Sequence, residues 1–173
     1  MSKVFKGDKM DSKIRKELLT LIEHNSRIPV SELAKLLGVG EVDVVNEMSK
    51  LESERIICSY MTLIDWEKTS DEKVTGLIEV KVTPQRGQGF DRIAERIYNY
   101  PEVKSVYLIS GSYDLLVTLE ENTLKDIANF VSEKLSTLDM VLSTATHFIL
   151  KKYKEHGVIM KNTHGDEREV ISA

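Results

Sequence analysis

The sequence predicts an α+β fold, in which an N-terminal (winged) helix-turn-helix is followed by a ferredoxin-like βαββαβ domain. Two observations support this prediction. Apolar residues recur at the helical spacing up to about residue 56, whereas from Val74 the order is strand, helix, strand, strand, helix, strand. A length of 173 residues suits one ordinary domain or two small ones.

Five segments follow from these patterns. We expect a flexible arm over residues 1–10, a helix-turn-helix over 11–60 and a linker strand over 61–73. The ferredoxin-like domain takes residues 74–152, and a tail that ends without periodicity takes residues 153–173.

Three apolar stripes predict the three helices of the first half. A break from His24 to Pro29 separates the first two, and Pro29 suits the opening of the second helix. A tight turn with Gly38 precedes the third helix. The stripes are Ile14, Leu18, Leu21 and Ile22, then Leu33, Ala34 and Leu37, then Val44, Met48 and Leu51.

Alternation and turn residues predict the second half. SGSY separates two strands as a hairpin turn, and Asn122 or Thr123 caps the second helix. The predicted strands are GLIEVKV (76–82), VKSVYLI (103–109), DLLVTLE (114–120) and VLSTATHFIL (141–150).

The last strand carries apolar residues on both faces. Two helices cover only one face of a four-stranded sheet, so the second face predicts pairing with another copy of the chain. The two predicted sets are Leu142, Phe148 and Leu150 against Val141, Ala145 and Ile149.

Composition narrows the function classes. No apolar run reaches the length of a membrane span, and the N-terminus lacks a secretory signal, so we expect a cytoplasmic protein. A single cysteine, Cys58, excludes an intramolecular disulfide, and its apolar surroundings predict a buried thiol. The four histidines show no metal-ligand spacing or nucleophile motif, so we predict no enzyme, metal or cofactor.

The order of these motifs resembles the Lrp/AsnC family, also called feast/famine regulators, over about residues 11–152. SRIPVSELAKLLGVG and LESERIICSY look like its helix-turn-helix and the strand after it, while SGSYDLLV and STATHFILKKYK look like its effector-binding module. The resemblance implies an amino-acid-responsive, DNA-binding transcription regulator that assembles from dimers. The chain departs from the family pattern at Pro29, Gly40 and Asn46-Glu47.

The third helix is the candidate DNA-reading element. Asn46 offers a donor and an acceptor to an adenine edge, Val42 an apolar contact to a thymine methyl group, and Lys50 a charge to phosphate. The candidate DNA-binding residues are Arg27, Val42, Asn46, Ser49 and Lys50.

Charge argues partly against DNA binding. The net charge is −4, so binding to a polyanion needs a local basic patch. Asp43 and Glu47 are expected near the passing phosphates, where they would weaken affinity. Basic residues near the start are the alternative contacts, or else a solvated surface: Lys3, Lys6, Lys9, Lys13, Arg15 and Lys16.

The resemblance also implies an amino-acid site at the turn from Gly111 to Asp114. Asp114 suits an α-ammonium group and backbone donors near Gly111 suit a carboxylate, although Gly and Asp are also ordinary turn residues. Threonine hydroxyls of the last strand are further candidates. The candidate ligand-binding residues are Gly111, Ser112, Tyr113, Asp114, Thr144 and Thr146.

Three functions remain open from the sequence. The first is a transcription regulator whose partners are double-stranded DNA, an amino-acid-like effector and itself, as a dimer, tetramer or octamer. The second is an oligomeric effector-binding module whose degenerate helix-turn-helix mediates protein contacts. The third is an enzyme on the ferredoxin-like fold, which the missing catalytic residues disfavour.

Overall fold

The computed structural model describes residues 10–71, 73–83 and 89–160. The chain divides into two compact units, residues 1–63 and 64–173. The division falls within the segment predicted to link the two halves.

Some predictions lie outside the described residues. These are the arm before Met10, with Lys3, Lys6 and Lys9, and the last part of the tail, residues 161–173.

Three helices form the first unit, as predicted. They are α1 (Ser12–His24), α2 (Val30–Leu37) and α3 (Glu41–Ser53). All three contribute to one apolar core, so none of them buries its apolar stripe alone. The buried residues are Leu18, Ile22, Leu33, Ala34, Leu37, Val44 and Leu51.

The turn between α2 and α3 depends on two glycines. Gly38 has a φ of 67°, in the left-handed region where a Cβ is strained. Gly40 is the N-cap of α3, and its N–H donates to Asp43 Oδ2 at 3.3 Å. This bond satisfies one of the backbone donors at the start of α3.

The predicted linker strand is wrong. In the described part of this segment, residues 61–71, the chain is irregular and then forms a 3-10 helix at Trp66–Lys68. Residues 10–60 likewise contain no strand, so the described part of the helix-turn-helix has no wing. An extended segment becomes a strand only when a neighbour pairs with its backbone groups, and no described residue does so here.

The second unit has the predicted ferredoxin-like topology. Its four strands are β1 (Val74–Val82), β2 (Val103–Leu108), β3 (Leu115–Glu121) and β4 (Val141–Phe148). They form an antiparallel sheet in the order β2-β3-β1-β4, with β1 paired to both β3 and β4.

Two helices complete this unit. They are α4 (Asp91–Tyr98) and α5 (Leu124–Phe130), and α5 continues as a π-helix over Val131–Leu135. Thr123 caps α5, since its hydroxyl accepts from the Asp126 N–H at 3.1 Å. The predicted capping of this helix is therefore confirmed.

Alternation along β1 separates the two faces of the sheet. Ile78 and Val80 are fully buried with Ile93 of α4 and Ile127 of α5, on what we call the helix face. The alternate residues define the second face. They are Leu77, Glu79 and Lys81 with their paired residues Leu116, Thr118, Ser143, Ala145 and His147.

An irregularity changes which residues of β4 share a face. Lys81 pairs with Ser143, but Val82 pairs with Val141, so β4 contains an extra residue at this point. Val141 therefore packs against the core of the helix face, whereas Ala145 pairs with Glu79 on the second face. The predicted grouping of Val141 with Ala145 is wrong, because strict alternation does not hold across a bulge.

The predicted tail begins with regular structure. Lys154–Glu155 (β5) and Val158–Ile159 (β6) form a two-stranded hairpin. His156 and Gly157 both have positive φ, 44° and 83°, which is the requirement of the tight hairpin turn between them. The expectation of a loose, aperiodic tail from residue 157 is therefore wrong for residues 157–159.

Cys58 is exposed and not buried as predicted. Its thiol donates to the Arg55 carbonyl at 3.1 Å. The neighbouring Ile56 is also 49% exposed, because residues after α3 are not packed into a strand.

Gly38→Ala is expected to lower the free energy of unfolding by about 1 kcal/mol, because alanine is strained at this positive φ. Gly38→Asn is expected to cost less, since asparagine tolerates the left-handed region. Denaturant unfolding followed by helical circular dichroism measures both. Gly111→Ala is the control, since its added Cβ meets Ile109 at an ordinary 3.6 Å; equal losses at both glycines would contradict the strain argument.

Candidate functional site

The outward surface of α3 carries the predicted DNA-binding residues. Val42 is 71% exposed, and Asn46 and Ser49 are exposed at the four- and seven-residue spacing that places them on one side of the helix. Lys50 is half-buried, with its Nζ 4.0 Å from Glu54 Oε1. Arg27 is exposed in the turn between α1 and α2.

The acidic residues of α3 have partners within the first unit. Asp43 binds the Gly40 N–H, and Glu47 Oε1 lies 3.1 Å from Arg15 Nε. Glu52 Oε1 accepts a hydrogen bond of 2.7 Å from the Tyr60 hydroxyl. Glu41 lies in the first turn, where its charge stabilises the helix dipole.

Glu47 corrects the expectation from the sequence. It is only 6% exposed and lies in the core with Val44 and Leu51, so it does not face passing phosphates. Helical spacing alone placed it on a flank, because its true partner, Arg15, is on another helix. Asp43 remains exposed, although it caps α3.

The bond from Tyr60 to Glu52 changes the acidity of the phenol. Partial burial, this hydrogen bond and the charge of Glu52 together raise the pKa of Tyr60 to about 12. Each of these causes disfavours the phenolate next to a carboxylate. Tyr60 thus stays neutral and holds Glu52 beside residues that follow α3.

Asp114 has a structural role in the turn before β3. Its Oδ2 accepts a hydrogen bond of 2.9 Å from the Val82 N–H. Val82 follows Val80, the last residue of β1 that pairs with β3, by two positions. The Asp114 N–H also donates to the Val80 carbonyl at 3.1 Å. One carboxylate oxygen is therefore engaged by the backbone at the end of β1.

A cleft lies beside this turn, on the second face. Its volume is about 250 Å³. Lys81 and Glu79 of β1 bring opposite charges to its wall, a combination that suits a zwitterion. The residues that line the cleft are Glu79, Lys81, Ser112, Tyr113, Ser143, Thr144 and Ala145.

The cleft includes only part of the predicted ligand set. Ser112, Tyr113 and Thr144 line it, whereas Gly111, Asp114 and Thr146 do not. Thr144 and Thr146 pair with the buried Val80 and Ile78, so their side chains belong to the helix face. Thr144 and Thr146 thus share one side of β4, as predicted, and their binding of one ligand stays a prediction.

Sequence reasoning missed Glu79, Lys81, Ser143 and Ala145. Alternation in GLIEVKV already places Glu79 and Lys81 on one side of β1. Their approach to Ser143 and Ala145 follows only from the pairing of β1 with β4 and from the bulge.

Glu79 also contacts His147 within the second face. His147 Nε2 lies 3.2 Å from Glu79 Oε1, and the histidine side chain is 58% exposed. His147 pairs with Leu77, which places it on the second face and outside the buried core.

Among the described residues, no three His, Cys, Asp or Glu side chains are grouped as metal ligands would be. No helix in the described part of the chain has the length and apolarity needed to cross a membrane.

Comparisons with known proteins agree with both units. Residues 75–159 match the Lrp/AsnC ligand binding domain. The chain is 50% identical over 157 residues to the uncharacterized HTH-type transcriptional regulator YugG of Bacillus subtilis. This alignment covers 90% of the present chain and 95% of YugG. The uncharacterized HTH-type transcriptional regulator PF1734 of Pyrococcus furiosus is 32% identical over 148 residues, covering 86% and 94%.

Solved structures share the fold at lower identity. The transcriptional regulator NMB0573 of Neisseria meningitidis, solved as a complex with L-Met, is 21% identical with a TM-score of 0.67, covering 85% of this chain and 94% of that chain. The protein PH0061 is 23% identical with a TM-score of 0.71, covering 86% and 98%.

Ultraviolet titration of the six tyrosines is expected to show one phenol that ionises near pH 12. Tyr60→Phe should remove this late step, and Glu52→Gln should move it to lower pH. Because the raised pKa belongs to the folded state, the stability that Tyr60 contributes is present below its ordinary value of 10.0 and lost as pH rises to about 12. Tyr98→Phe, at a tyrosine that is 56% exposed, is the control and should leave the late step unchanged.

Proposed function

The chain belongs to the Lrp/AsnC family of transcriptional regulators, and on that premise we propose how its two units divide the work. It is a transcriptional regulator and not an enzyme. The first unit reads DNA through the outward surface of α3. The second unit binds an amino acid in the cleft beside the second face.

The observation that supports DNA reading most strongly is the pairing of the acidic residues of α3. Glu47 is buried and paired with Arg15, so its charge is withdrawn from the outward surface of the helix. The three residues that form this surface, Val42, Asn46 and Ser49, are themselves uncharged. A neutral surface approaches the bases without strong repulsion. Asn46 then reads an adenine edge and Val42 a thymine methyl group.

Phosphate contacts come from residues beside this surface. Arg27 is exposed in the turn before α2, and its backbone N–H is held by Asn25 Oδ1 at 3.0 Å. Lys50 shares its charge with Glu54 and therefore contributes less than a lone lysine. Few basic contacts predict a shallow dependence of binding on salt.

Opposite charges in one small cleft support an amino acid as the effector. The Glu79 carboxylate suits an α-ammonium group, and the Lys81 ammonium suits an α-carboxylate. Ser112, Tyr113 and Ser143 add hydroxyl groups. One related regulator was solved as a complex with L-Met, which agrees with this class of ligand.

The second face supports assembly from two copies. Tyr107 is 55% exposed and pairs with Leu116, which in turn pairs with Glu79. This apolar strip is interrupted by the Glu79–His147 pair, so the face is mixed and not wholly apolar. A homodimer through this face, or a larger ring of dimers, presents two copies of α3 to a pseudo-palindromic site in the cytoplasm.

A second candidate function rests on exposed apolar residues. Val42, Val45 and Leu36 are 71%, 47% and 54% exposed. Such side chains also suit protein contacts, as in an effector-binding module whose helix-turn-helix no longer reads DNA. Gel-shift assays against the DNA upstream of the gene separate the two, since only the first function gives sequence-dependent binding.

Asn46→Ala is expected to weaken binding to a DNA duplex selected by the wild-type chain by about tenfold, the contribution of one good bidentate base contact. Binding to a shuffled duplex of the same composition should change little. Fluorescence anisotropy with both duplexes measures this difference. Asn129→Ala, at an exposed position on α5, is the control; an equal loss there, or none at Asn46, would contradict base reading.

Glu79→Gln and Lys81→Met are each expected to weaken binding of the effector amino acid at least tenfold, because each removes a charge-assisted hydrogen bond. Calorimetry of the common amino acids first identifies a binder to the wild-type chain. Lys104→Met, at an exposed lysine of β2, is the control and should bind normally. Absence of heat and of thermal shift with every amino acid would remove the effector proposal.

A further inference from the structure

Glu47 occupies a position where a helix normally buries an aliphatic residue. It lies between Val44 and Leu51, which are fully buried, and it is itself only 6% exposed. Removing a carboxylate from water has a large free-energy cost, whereas a leucine at the same position would gain from burial. Stability of the helical core alone therefore does not account for an acidic residue here.

The charge of Glu47 is met by one residue of α1. Arg15 places its Nε 3.1 Å from Glu47 Oε1, and a terminal guanidinium nitrogen donates to Glu54 Oε2 at 2.8 Å. The contact to Glu47 is a close charge pair and not an aligned hydrogen bond. Glu54 directly follows α3 and also lies 4.0 Å from Lys50.

One guanidinium thus holds α3 at two points. Glu47 and Glu54 are seven residues apart, which is two helical turns and about 10 Å along the axis. The planar fork of arginine fixes direction as well as distance, in contrast to the point charge of lysine. A contact at two heights on the same side of α3 restrains both its rotation and its sliding.

Such restraint matters for the opposite side of the helix. The burial of apolar surface is not directional, so Val44 and Leu51 define the rotation of α3 less sharply than a charged contact of fixed geometry does. At a radius of about 5 Å, a rotation of about 20° moves a side-chain tip by about 2 Å, which is enough to break a hydrogen bond to a base. Asn46 and Val42 lie on this outward side.

We propose that Glu47 is a positioning residue for DNA reading: through Arg15 it fixes the rotation of α3, so that Val42, Asn46 and Ser49 meet the bases together. This inference rests on the proposed DNA-reading role of α3. It assigns the buried carboxylate to specificity, because specificity is sensitive to small displacements and stability is not. An apolar replacement of the pair then keeps the fold and loses discrimination.

The decisive variant is Arg15→Leu with Glu47→Leu in the full-length chain. Replacing a buried ion pair by apolar residues is often neutral or stabilising, so this variant should unfold at or above the wild-type temperature. The probes are a duplex selected by the wild-type chain from a random library and a shuffled duplex of the same composition. We expect the ratio of the two affinities to fall about tenfold, the loss of one well-made base contact.

Two further variants separate charge from geometry. Arg15→Lys keeps the charge but not the fork, and it should also lower the affinity ratio. Glu17→Gln, at an exposed glutamate of α1, changes the net charge as Glu47→Gln does and serves as its matched control. Removing a negative charge can raise the affinity for any DNA, and this gain should be equal in Glu17→Gln and Glu47→Gln. Only Glu47→Gln should lower the ratio of the affinities for the selected and the shuffled duplex.

The outcomes that overturn the inference are specific. The ratio of the affinities for the selected and the shuffled duplex would stay unchanged in the folded double variant if Glu47 were merely structural. This includes the case in which both affinities fall by the same factor. Wild-type behaviour of Arg15→Lys would reduce the contact to simple charge neutralisation, with no role in orientation. If the wild-type chain selects no duplex at all, the DNA-reading proposal itself fails. If the wild type prefers the selected duplex and the variants prefer it to the same degree, DNA reading stands and only the role of Glu47 fails.

Discussion

The pairing of carboxylates inside the first unit is the constraint on which the proposed DNA-reading surface depends. A chain of net charge −4 with four acidic residues in its third helix repels a polyanion unless those charges are compensated locally. Only Glu47 is compensated by an opposite charge, the guanidinium of Arg15. The Gly40 N–H and the Tyr60 hydroxyl orient Asp43 and Glu52 by hydrogen bonds, but both donors are neutral and leave those charges in place. The outward side of α3 is consequently less negative than the composition of the helix indicates.

These pairings differ in what they contribute. The partly exposed pair of Lys50 with Glu54 is 4.0 Å apart and adds little to stability in water. The Arg15–Glu47 contact is mostly withdrawn from solvent, so breaking it leaves an uncompensated charge in the core. A wholly apolar contact would stabilise the unit at least as well. The retained ion pair therefore points to orientation rather than to stability.

Much of the fold follows from local patterns in the sequence. Helical spacing predicts α1 to α3, and alternation with turn residues predicts the βαββαβ order, because these elements bury one side against a single core. The predictions that fail are those that depend on contacts between residues far apart in the chain. Glu47 is buried only because Arg15 lies 32 positions earlier in the chain and on another helix, and the β4 bulge reverses the face of Val141 through pairing with Val82. The cleft shows the same limit, since Ser143 and Glu79 meet only through the strand order.

The proposed ligand cleft and the proposed subunit interface share the second face, where β1 lies in the middle of the sheet. Glu79 lines the cleft and also contacts His147, which pairs with Leu77, two residues before Glu79 on β1. An imidazole can donate a hydrogen bond to the carboxylate whether it is neutral or charged, so Glu79 is oriented before any ligand arrives. A ligand ammonium adds a second donor to a carboxylate that accepts several, and it need not displace the histidine. In the proposed function, a cleft with this carboxylate already oriented binds a zwitterion with little reorganisation of the sheet, and the same side chains lie on the face proposed for assembly. The proposed ligand site and the proposed subunit interface therefore share one carboxylate, that of Glu79 on β1 in the middle of the sheet.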